Sequence, residues 1–285
     1  MDFSLTEEQV MLRDSVRAFC KRHLTPERVR EMDEKEEYPA DIMGEMAKLG
    51  WMGLPFPEKY GGMGGNAVDL AVFLETLSYY APAVAAAYLM NVVFGGQSLL
   101  VYGTEKQRET YLPKIINGEI TCALSVTEPN AGSDIGNIVT SAELHGDEYV
   151  INGQKVFTTG AHVADYLLVL ARTDKNAPNP YKGVTMFLVD RHQPGVEVRK
   201  LEKLGMRAIW TNEVFYENAR TGKENILGGE EGFNRGFFNL MKTFNHERSN
   251  GSAVCTGYAQ RLVDDALEYA KQRKQFGQPI GNFQI

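Results

Sequence analysis

The first third of the chain carries apolar residues at the three- and four-residue spacing of amphipathic helices. Leu12, Val16 and Phe19 share one such face, and Thr6 with Gln9 predicts a capping box at the start of that helix. The same spacing returns in two further sets: Ile42, Met46 and Leu49, then Leu70, Phe73, Leu74 and Leu77. This part of the chain is therefore predicted to be a helical bundle.

From about Thr121 the apolar residues alternate or run continuously, which predicts β-strands. Residues 166–170 and 184–189 are apolar enough for buried strands. Asn152 and Gly153 form a pair that favours a tight hairpin turn, so we expect one strand to end there.

Helical spacing resumes after Gly232. The inward face predicted for the last helix consists of Ala259, Leu262, Val263, Ala266 and Ala270. The order of elements predicts an α+β fold with three parts. These are an N-terminal helical bundle (1–120), a small barrel-like or sandwich-like β domain (121–230) and the first part of a C-terminal helical bundle (231–285).

Composition narrows the possible partners. The 30 basic and 37 acidic side chains give a formal net charge of −7, so we expect no nucleic-acid partner. We find no apolar run near the roughly 18 residues that span a bilayer, and the acidic N-terminus does not resemble an export signal. Cys20, Cys122 and Cys255 lack metal-ligand spacing, and we expect reduced core thiols in a cytoplasmic protein with no metal site.

Residues 125–134 read SVTEPNAGSD and combine the end of a predicted strand with a polar turn. The hydroxyls of Thr127 and Ser133 can donate to a heteroaromatic ring or a phosphate, and small residues at Ala131 and Gly132 let a planar ligand approach. From the residues alone, the segment is either a ligand cradle or an ordinary turn.

This segment resembles the flavin-binding signature of the acyl-CoA dehydrogenase family, and two further segments resemble that family in the same order. They are NGQKVFTTG at 152–160 and YAKQRKQFG at 269–277, the latter followed by Ile280 and by FQ at 283–284. The resemblance covers the whole chain and the first three quarters of a family member. It implies the same three-part architecture, FAD as the cofactor and an acyl-CoA substrate.

The resemblance also implies a role for individual residues. The aromatic at Phe157 would lie against the flavin ring, and Thr159 would hydrogen-bond near the ring nitrogen that accepts hydride. Spacing alone instead predicts a core aromatic at Phe157, and many relatives carry a tryptophan there, whose indole hydrogen bond this chain lacks. The implied cofactor-binding residues are Leu124, Val126, Thr127, Gly132, Ser133, Phe157, Thr159, Arg273, Gln275, Phe276 and Gln284.

The last four of these residues imply an assembly. In the family, the residues matching Arg273, Gln275 and Phe276 reach the flavin diphosphate of a neighbouring subunit, and Gln284 would add a second contact. A planar guanidinium suits this task because it can bind two phosphate oxygens. The resemblance therefore implies a homo-oligomer, a dimer of dimers, whereas Arg273 taken alone is an ordinary helix-end charge.

Glu247 is the candidate catalytic base. Taking a proton from the carbon alpha to a thioester requires a carboxylate that is shielded from water and aimed at the substrate. The isovaleryl and long-chain branches of the family carry the base in a Glu-Arg pair, which Glu247 and Arg248 match. The resemblance places Ser133, Asn245 and Arg248 at the substrate, although some relatives have aspartate at Asn245. For Glu247 the alternative is a helix-surface carboxylate paired with arginine.

The implied activity is α,β-dehydrogenation of an acyl-CoA, with an electron-transferring flavoprotein as the electron acceptor. One alternative is the reverse reaction, catalysed by an enoyl-CoA reductase of the crotonobetainyl-CoA type. Another is a truncated, non-catalytic assembly or binding module, because the apolar face around Leu262 and Ala266 lacks its full cover in a chain that ends at Ile285.

Overall fold

The computed structural model describes residues 4–284, apart from the side chain of His246. Helices occupy both ends of the described chain and a sheet lies between them. The α-helices are α1 (Glu7–His23), α2 (Pro26–Lys35), α3 (Ala40–Lys48), α4 (Ala67–Tyr80), α5 (Pro82–Tyr88), α6 (Ser98–Tyr102), α7 (Glu105–Ile116) and α8 (Gly236–Gln272). A π-helix, Leu89–Gln97, joins α5 to α6.

The N-terminal helices form where capping and apolar spacing predict them. Thr6 and Gln9 make the predicted capping box at the start of α1, and Val16 is fully buried. The predicted apolar face of α4 is likewise buried. Leu49, the residue that follows α3, is half exposed, so its predicted core position is wrong.

The middle of the chain forms one curled sheet, and a small separate hairpin follows α8 near the C-terminal end. The strands are β1 (Cys122–Ser125), β2 (Ser141–His145), β3 (Glu148–Thr159), β4 (Tyr166–Arg172), β5 (Val184–Asp190), β6 (Val196–Leu201), β7 (Thr211–Gly222), β8 (Lys274–Gln275) and β9 (Gln278–Pro279). The large sheet has the order β1-β4-β2-β3-β7-β6, with β5 also paired to β4, while β8 and β9 pair with each other. β1 runs parallel to β4, and β3 runs antiparallel to β7. The α+β fold class is confirmed.

The predicted hairpin turn at Asn152 and Gly153 is wrong. β3 continues through this pair, and β2 turns into β3 earlier, between His145 and Glu148. The register of β3 against β7 shifts between Ile151 and Gly153, at a bulge. A Cβ on Gly153 would lie 2.5 Å from the side-chain oxygen of Thr140, so the glycine serves a close approach within the sheet and not a turn.

Helix α8 packs against α4 through small residues and polar contacts. A Cβ on Gly257 would lie 2.1 Å from the backbone oxygen of Glu75, so glycine lets the two helices approach closely. Ser78 Oγ donates to the backbone oxygen of Val254 at 2.9 Å. These contacts hold the helix that carries Glu247 against the N-terminal bundle.

The inward face predicted for the second half of α8 is wrong. Leu262 and Val263 are 65% and 60% exposed, and Ala259 and Ala266 are also exposed. The face that packs on α4 is the one that carries Val254 and Gly257.

Two expectations from composition need correction. Cys20 and Cys122 are buried free thiols, but Cys255 is exposed and not a core residue. The helical stretch Pro82–Tyr102 has 21 residues with a mean hydropathy of 1.6, which is long and apolar enough to cross a membrane. However, 67% of its most apolar window is buried inside the protein. A buried core helix has the same length and apolar composition, so the stretch fits that role as well.

Candidate active site

The end of β3 presents an aromatic ring to a cavity. Phe157 has a φ of 59°, in the left-handed region that bulky side chains rarely adopt, and it falls within the register shift between Lys155 and Thr158. Its side chain is 66% exposed, so the core position predicted from spacing is wrong. The bulge turns Phe157 outward while Lys155 and Thr158 point into the protein.

Buried hydrogen bonds support this bulge from behind. Asn212 Nδ2 donates to the backbone oxygen of Thr158 at 2.9 Å. The hydroxyl of Thr158 lies 3.3 Å from Ser125 Oγ, which accepts a hydrogen bond from the Tyr216 hydroxyl at 2.9 Å. The strained backbone at Phe157 is thus fixed by contacts to β1 and β7.

A buried ion pair lies beside the same bulge. Lys155 Nζ donates to Glu128 Oε1 at 2.9 Å and to the backbone oxygen of Val126 at 2.8 Å, and both charged side chains are almost completely buried. Burial lowers the pKa of Lys155 to about 8, although the Glu128 carboxylate opposes that shift. Burial acts to raise the pKa of Glu128, but the Lys155 charge and two hydrogen bonds, from Val139 and Thr140, outweigh it and leave this pKa below its usual value.

A cavity of about 370 Å³ lies in front of Phe157. It brings together eight of the residues singled out from the sequence: Leu124, Val126, Thr127, Gly132, Phe157, Thr159, Glu247 and Arg248. Leu124 and Val126 face it because alternate residues of a strand share a face. The hydroxyls of Thr127 and Thr159 make no hydrogen bond to other described residues, and a Cβ on Gly132 would meet nothing within 4 Å.

Glu247 reaches the cavity from α8. Its side chain is 15% exposed, and its Oε2 lies 3.5 Å from an Nη1 of Arg248, whose side chain is 76% exposed. The neighbouring glycine one turn later, Gly251, leaves room for the carboxylate, since a Cβ there would lie 3.1 Å from Glu247 Oε1. Glu247 is thus mostly buried at the cavity wall, and it also makes the pairing with Arg248 that the surface-carboxylate alternative describes.

Sequence reasoning missed part of the wall. The unpredicted lining residues are Ala86, Met90, Phe94, Ile135, Val156 and Phe244. Met90 and Phe94 belong to the π-helix, whose wider turn displaces side chains from the ordinary helical spacing, so a 3.6-residue pattern does not reveal them. Leu89 also lines the cavity, whereas its neighbours Tyr88 and Val92 are buried in the core.

Several predicted site residues lie outside this cavity. Ser133 and Asn245 are exposed and do not line it. Four others are exposed at the far end of α8, around the β8–β9 hairpin: Arg273, Gln275, Phe276 and Gln284. At 1.5 Å per residue, Arg273 lies about 39 Å along the helix axis from Glu247, so this set does not join the same cavity within one chain.

The cavity can hold a planar heteroaromatic group and a proton-accepting carboxylate together. An exposed aromatic ring offers a stacking surface, and two free hydroxyls offer hydrogen bonds to ring atoms. The open space at Gly132 admits a flat ligand close to the backbone. These features fit an isoalloxazine ring. Among the described residues, no cluster of His, Cys, Asp and Glu could hold a metal ion.

Comparison with known proteins gives the family. Family models match residues 6–119 (acyl-CoA dehydrogenase, N-terminal domain), 123–219 (middle domain) and 234–285 (C-terminal domain). The predicted boundaries at 120 and 230 stay predictions.

Relatives and solved structures match nearly the whole chain. The chain is 41% identical to a 3-(aryl)acrylate reductase of Clostridium sporogenes, covering 98% of this chain and 73% of that protein. It is 38% identical to a caffeyl-CoA reductase–Etf complex subunit of Acetobacterium woodii, covering 98% and 73%.

Two solved structures have the same fold. The structure of butyryl-CoA dehydrogenase from Megasphaera elsdenii has a TM-score of 0.91 at 34% identity, covering 99% of this chain and 74% of that one. A glutaryl-CoA dehydrogenase from Mycobacterium smegmatis, in complex with FADH2, has a TM-score of 0.88 at 25% identity, covering 98% and 69%. The chain belongs to the acyl-CoA dehydrogenase family of flavin-dependent oxidoreductases.

Proposed function

We propose that this protein binds FAD in the cavity in front of Phe157 and oxidises the Cα–Cβ bond of an acyl-CoA thioester there. The observation that carries the proposal is that Glu247, from α8, and Phe157 with Thr159, from β3, line one cavity. A base and a cofactor surface on different elements leave room for a substrate between them.

The residues have separate tasks in this proposal. Phe157 stacks on the flavin ring, and the hydroxyls of Thr127 and Thr159 donate to its polar edge. Glu247 takes the proton from the alpha carbon, and Arg248 holds the CoA portion. When bound, FAD would supply the acceptor for the hydride that leaves the beta carbon. The two C–H bonds break and one C=C bond forms, so the electron pair of the alpha C–H bond becomes the new π bond.

The assembly is part of the proposal. The exposed hairpin after α8 would reach the flavin diphosphate of a second subunit through Arg273 and Gln275, with Phe276 and Gln284 beside them, in a dimer of dimers. Support comes from the exposure of these side chains and their distance from the cavity of their own chain. An electron-transferring flavoprotein is the proposed redox partner, since one relative is named as a subunit of an Etf complex. The proposed location is cytoplasmic, which the free buried thiols of Cys20 and Cys122 support.

Glu247→Gln tests the base. The amide keeps the shape of the side chain but cannot take a proton, so anaerobic flavin reduction by acyl-CoA should slow by about 10²–10⁴-fold. Titration with a non-reducible acyl-CoA analogue should show binding close to that of the wild type. Glu268→Gln is the matched control, because Glu268 is an exposed glutamate of the same helix paired with Lys271 at 2.7 Å. Reduction at the wild-type rate in Glu247→Gln would rule out Glu247 as the base.

The reverse reaction is a second candidate, favoured by the two relatives named as reductases. In this direction protonated Glu247 gives a proton to the alpha carbon while hydride enters at the beta carbon. The flavin midpoint potential, measured with and without acyl-CoA and enoyl-CoA, decides which direction dominates. Oxidation of the reduced enzyme by enoyl-CoA that outpaces reduction of the oxidised enzyme by acyl-CoA would establish the reductase.

A further inference from the structure

The buried ion pair between Glu128 and Lys155 joins two walls of the cavity. Val126 and Thr127 line the cavity directly before Glu128, and Val156 and Phe157 line it directly after Lys155. The ammonium group of Lys155 binds both the Glu128 carboxylate and the backbone oxygen of Val126. One lysine on β3 therefore fixes the backbone of the opposite wall.

The Glu128 carboxylate extends this connection to a third segment. Its Oε2 accepts from the backbone nitrogen of Val139 at 2.7 Å, and its Oε1 accepts from that of Thr140 at 2.9 Å. The two cavity walls are also joined directly by a backbone hydrogen bond, in which the Val156 nitrogen donates to the Thr127 oxygen at 2.8 Å. Three chain segments thus meet at two charged side chains that line no part of the cavity.

Stability alone does not explain such a pair. Removing two charges from water has a large desolvation penalty, and well-packed apolar residues of similar volume are often as stable or more stable. What the pair contributes is a fixed geometry. Its hydrogen bonds set the distance between the backbone at Thr127 and the strained backbone at Phe157.

We propose that Glu128 and Lys155 are positioning residues, which set the distance between the Thr127 hydroxyl and the Phe157 ring and so fix the orientation of the bound flavin. This inference rests on the proposed flavin site. It assigns no contact between either charged residue and the cofactor or the substrate.

The test compares Lys155→Met, Glu128→Gln and the double variant, and measures apoprotein melting, FAD affinity and the visible circular dichroism of the bound flavin. Each single variant leaves a polar or charged partner buried without its match, so both melting temperature and flavin signal should change. In the double variant neither position carries a buried charge, so the melting temperature should recover towards that of the wild type. The flavin signal should stay altered, and flavin reduction should stay slower by about 10²-fold, the scale expected for a misplacement near 1 Å.

Lys175→Met is the matched control. Lys175, in the loop after β4, pairs with Glu143 of β2 at 2.6 Å, but both side chains are more than half exposed. Neither the flavin signal nor the melting temperature should change.

Three outcomes overturn the inference. The first is a double variant that recovers the wild-type flavin signal together with its stability, since the pair would then be structural only. The second is a Lys155→Met variant with the wild-type flavin signal and affinity. The third is a wild-type protein that binds no flavin, which would overturn the proposed function as well. If the single variants do not fold, the double variant alone decides.

Discussion

Replacing Gly251 by alanine should make the protein more stable and the enzyme slower. Glycine in a helix interior is less favourable than alanine by about 1 kcal/mol, so Gly251→Ala should raise the melting temperature by about 2 °C in a chain of this size. The new Cβ would lie 3.1 Å from Glu247 Oε1, which is shorter than an ordinary carbon–oxygen contact. The carboxylate must therefore move by about 0.3 Å to reach an ordinary contact distance, which begins at 3.4 Å.

The size of the kinetic effect follows from that displacement. A misplacement of about 1 Å costs roughly 10²-fold in rate, so about 0.3 Å should slow flavin reduction by a factor of about 4. The assay is anaerobic stopped-flow reduction by acyl-CoA, with calorimetry on the same preparation.

Gly44→Ala is the control for this experiment. Gly44 lies inside α3, and a Cβ there would meet nothing within 4 Å. This variant should gain similar stability with no change in rate. If Gly251→Ala reduces its flavin as fast as Gly44→Ala does, the space beside Glu247 does not matter for proton removal and the reasoning is refuted.

Two further predictions concern assembly and pH. Arg273→Ala should weaken FAD binding and subunit association together, by about tenfold to a hundredfold since charged phosphate contacts are worth about 1.5–3 kcal/mol; a monomer in sedimentation that keeps tightly bound FAD would contradict it. Burial, with Arg191 and Lys203 nearby, lowers the pKa of His162 from 6.5 to about 4. Because the unfolded chain then binds the proton more strongly, stability should fall as pH drops from about 6.5 to 4. His162→Phe keeps the stack on Trp210 and should lose less stability over that range in acid-denaturation curves.

Sequence patterns within one chain segment correctly predicted those helices and strands that depend mainly on residues close together in the sequence. The capping box of α1 and the buried face of α4 follow from residues three or four apart, and the structure confirms both. The apolar runs at β4 and β5 likewise became buried strands. Each of these expectations depends on a chain segment and one buried face, which the sequence displays directly.

The failures came from contacts between distant segments. Asn152 and Gly153 have the composition of a turn, but Thr140 on the neighbouring segment requires a glycine there, and β3 runs on. On α8, helical periodicity marks Leu262 as an inward residue, yet the helix packs on α4 through the face of Gly257. Periodicity shows that a helix has an apolar stripe but not which neighbour covers it.

Three violations of the local rules lie in the cavity wall or directly behind it. A phenylalanine with a positive φ costs about 1–3 kcal/mol, and Lys155 is a fully buried charge. The π-helix beside them is a rare geometry that places Met90 and Phe94 in the wall. Such strain persists only where surrounding contacts over-determine it, as the bonds of Glu128 and Asn212 do here. Because sequences otherwise agree with their folds at every level, strain gathered around one cavity supports the proposal of a functional site there.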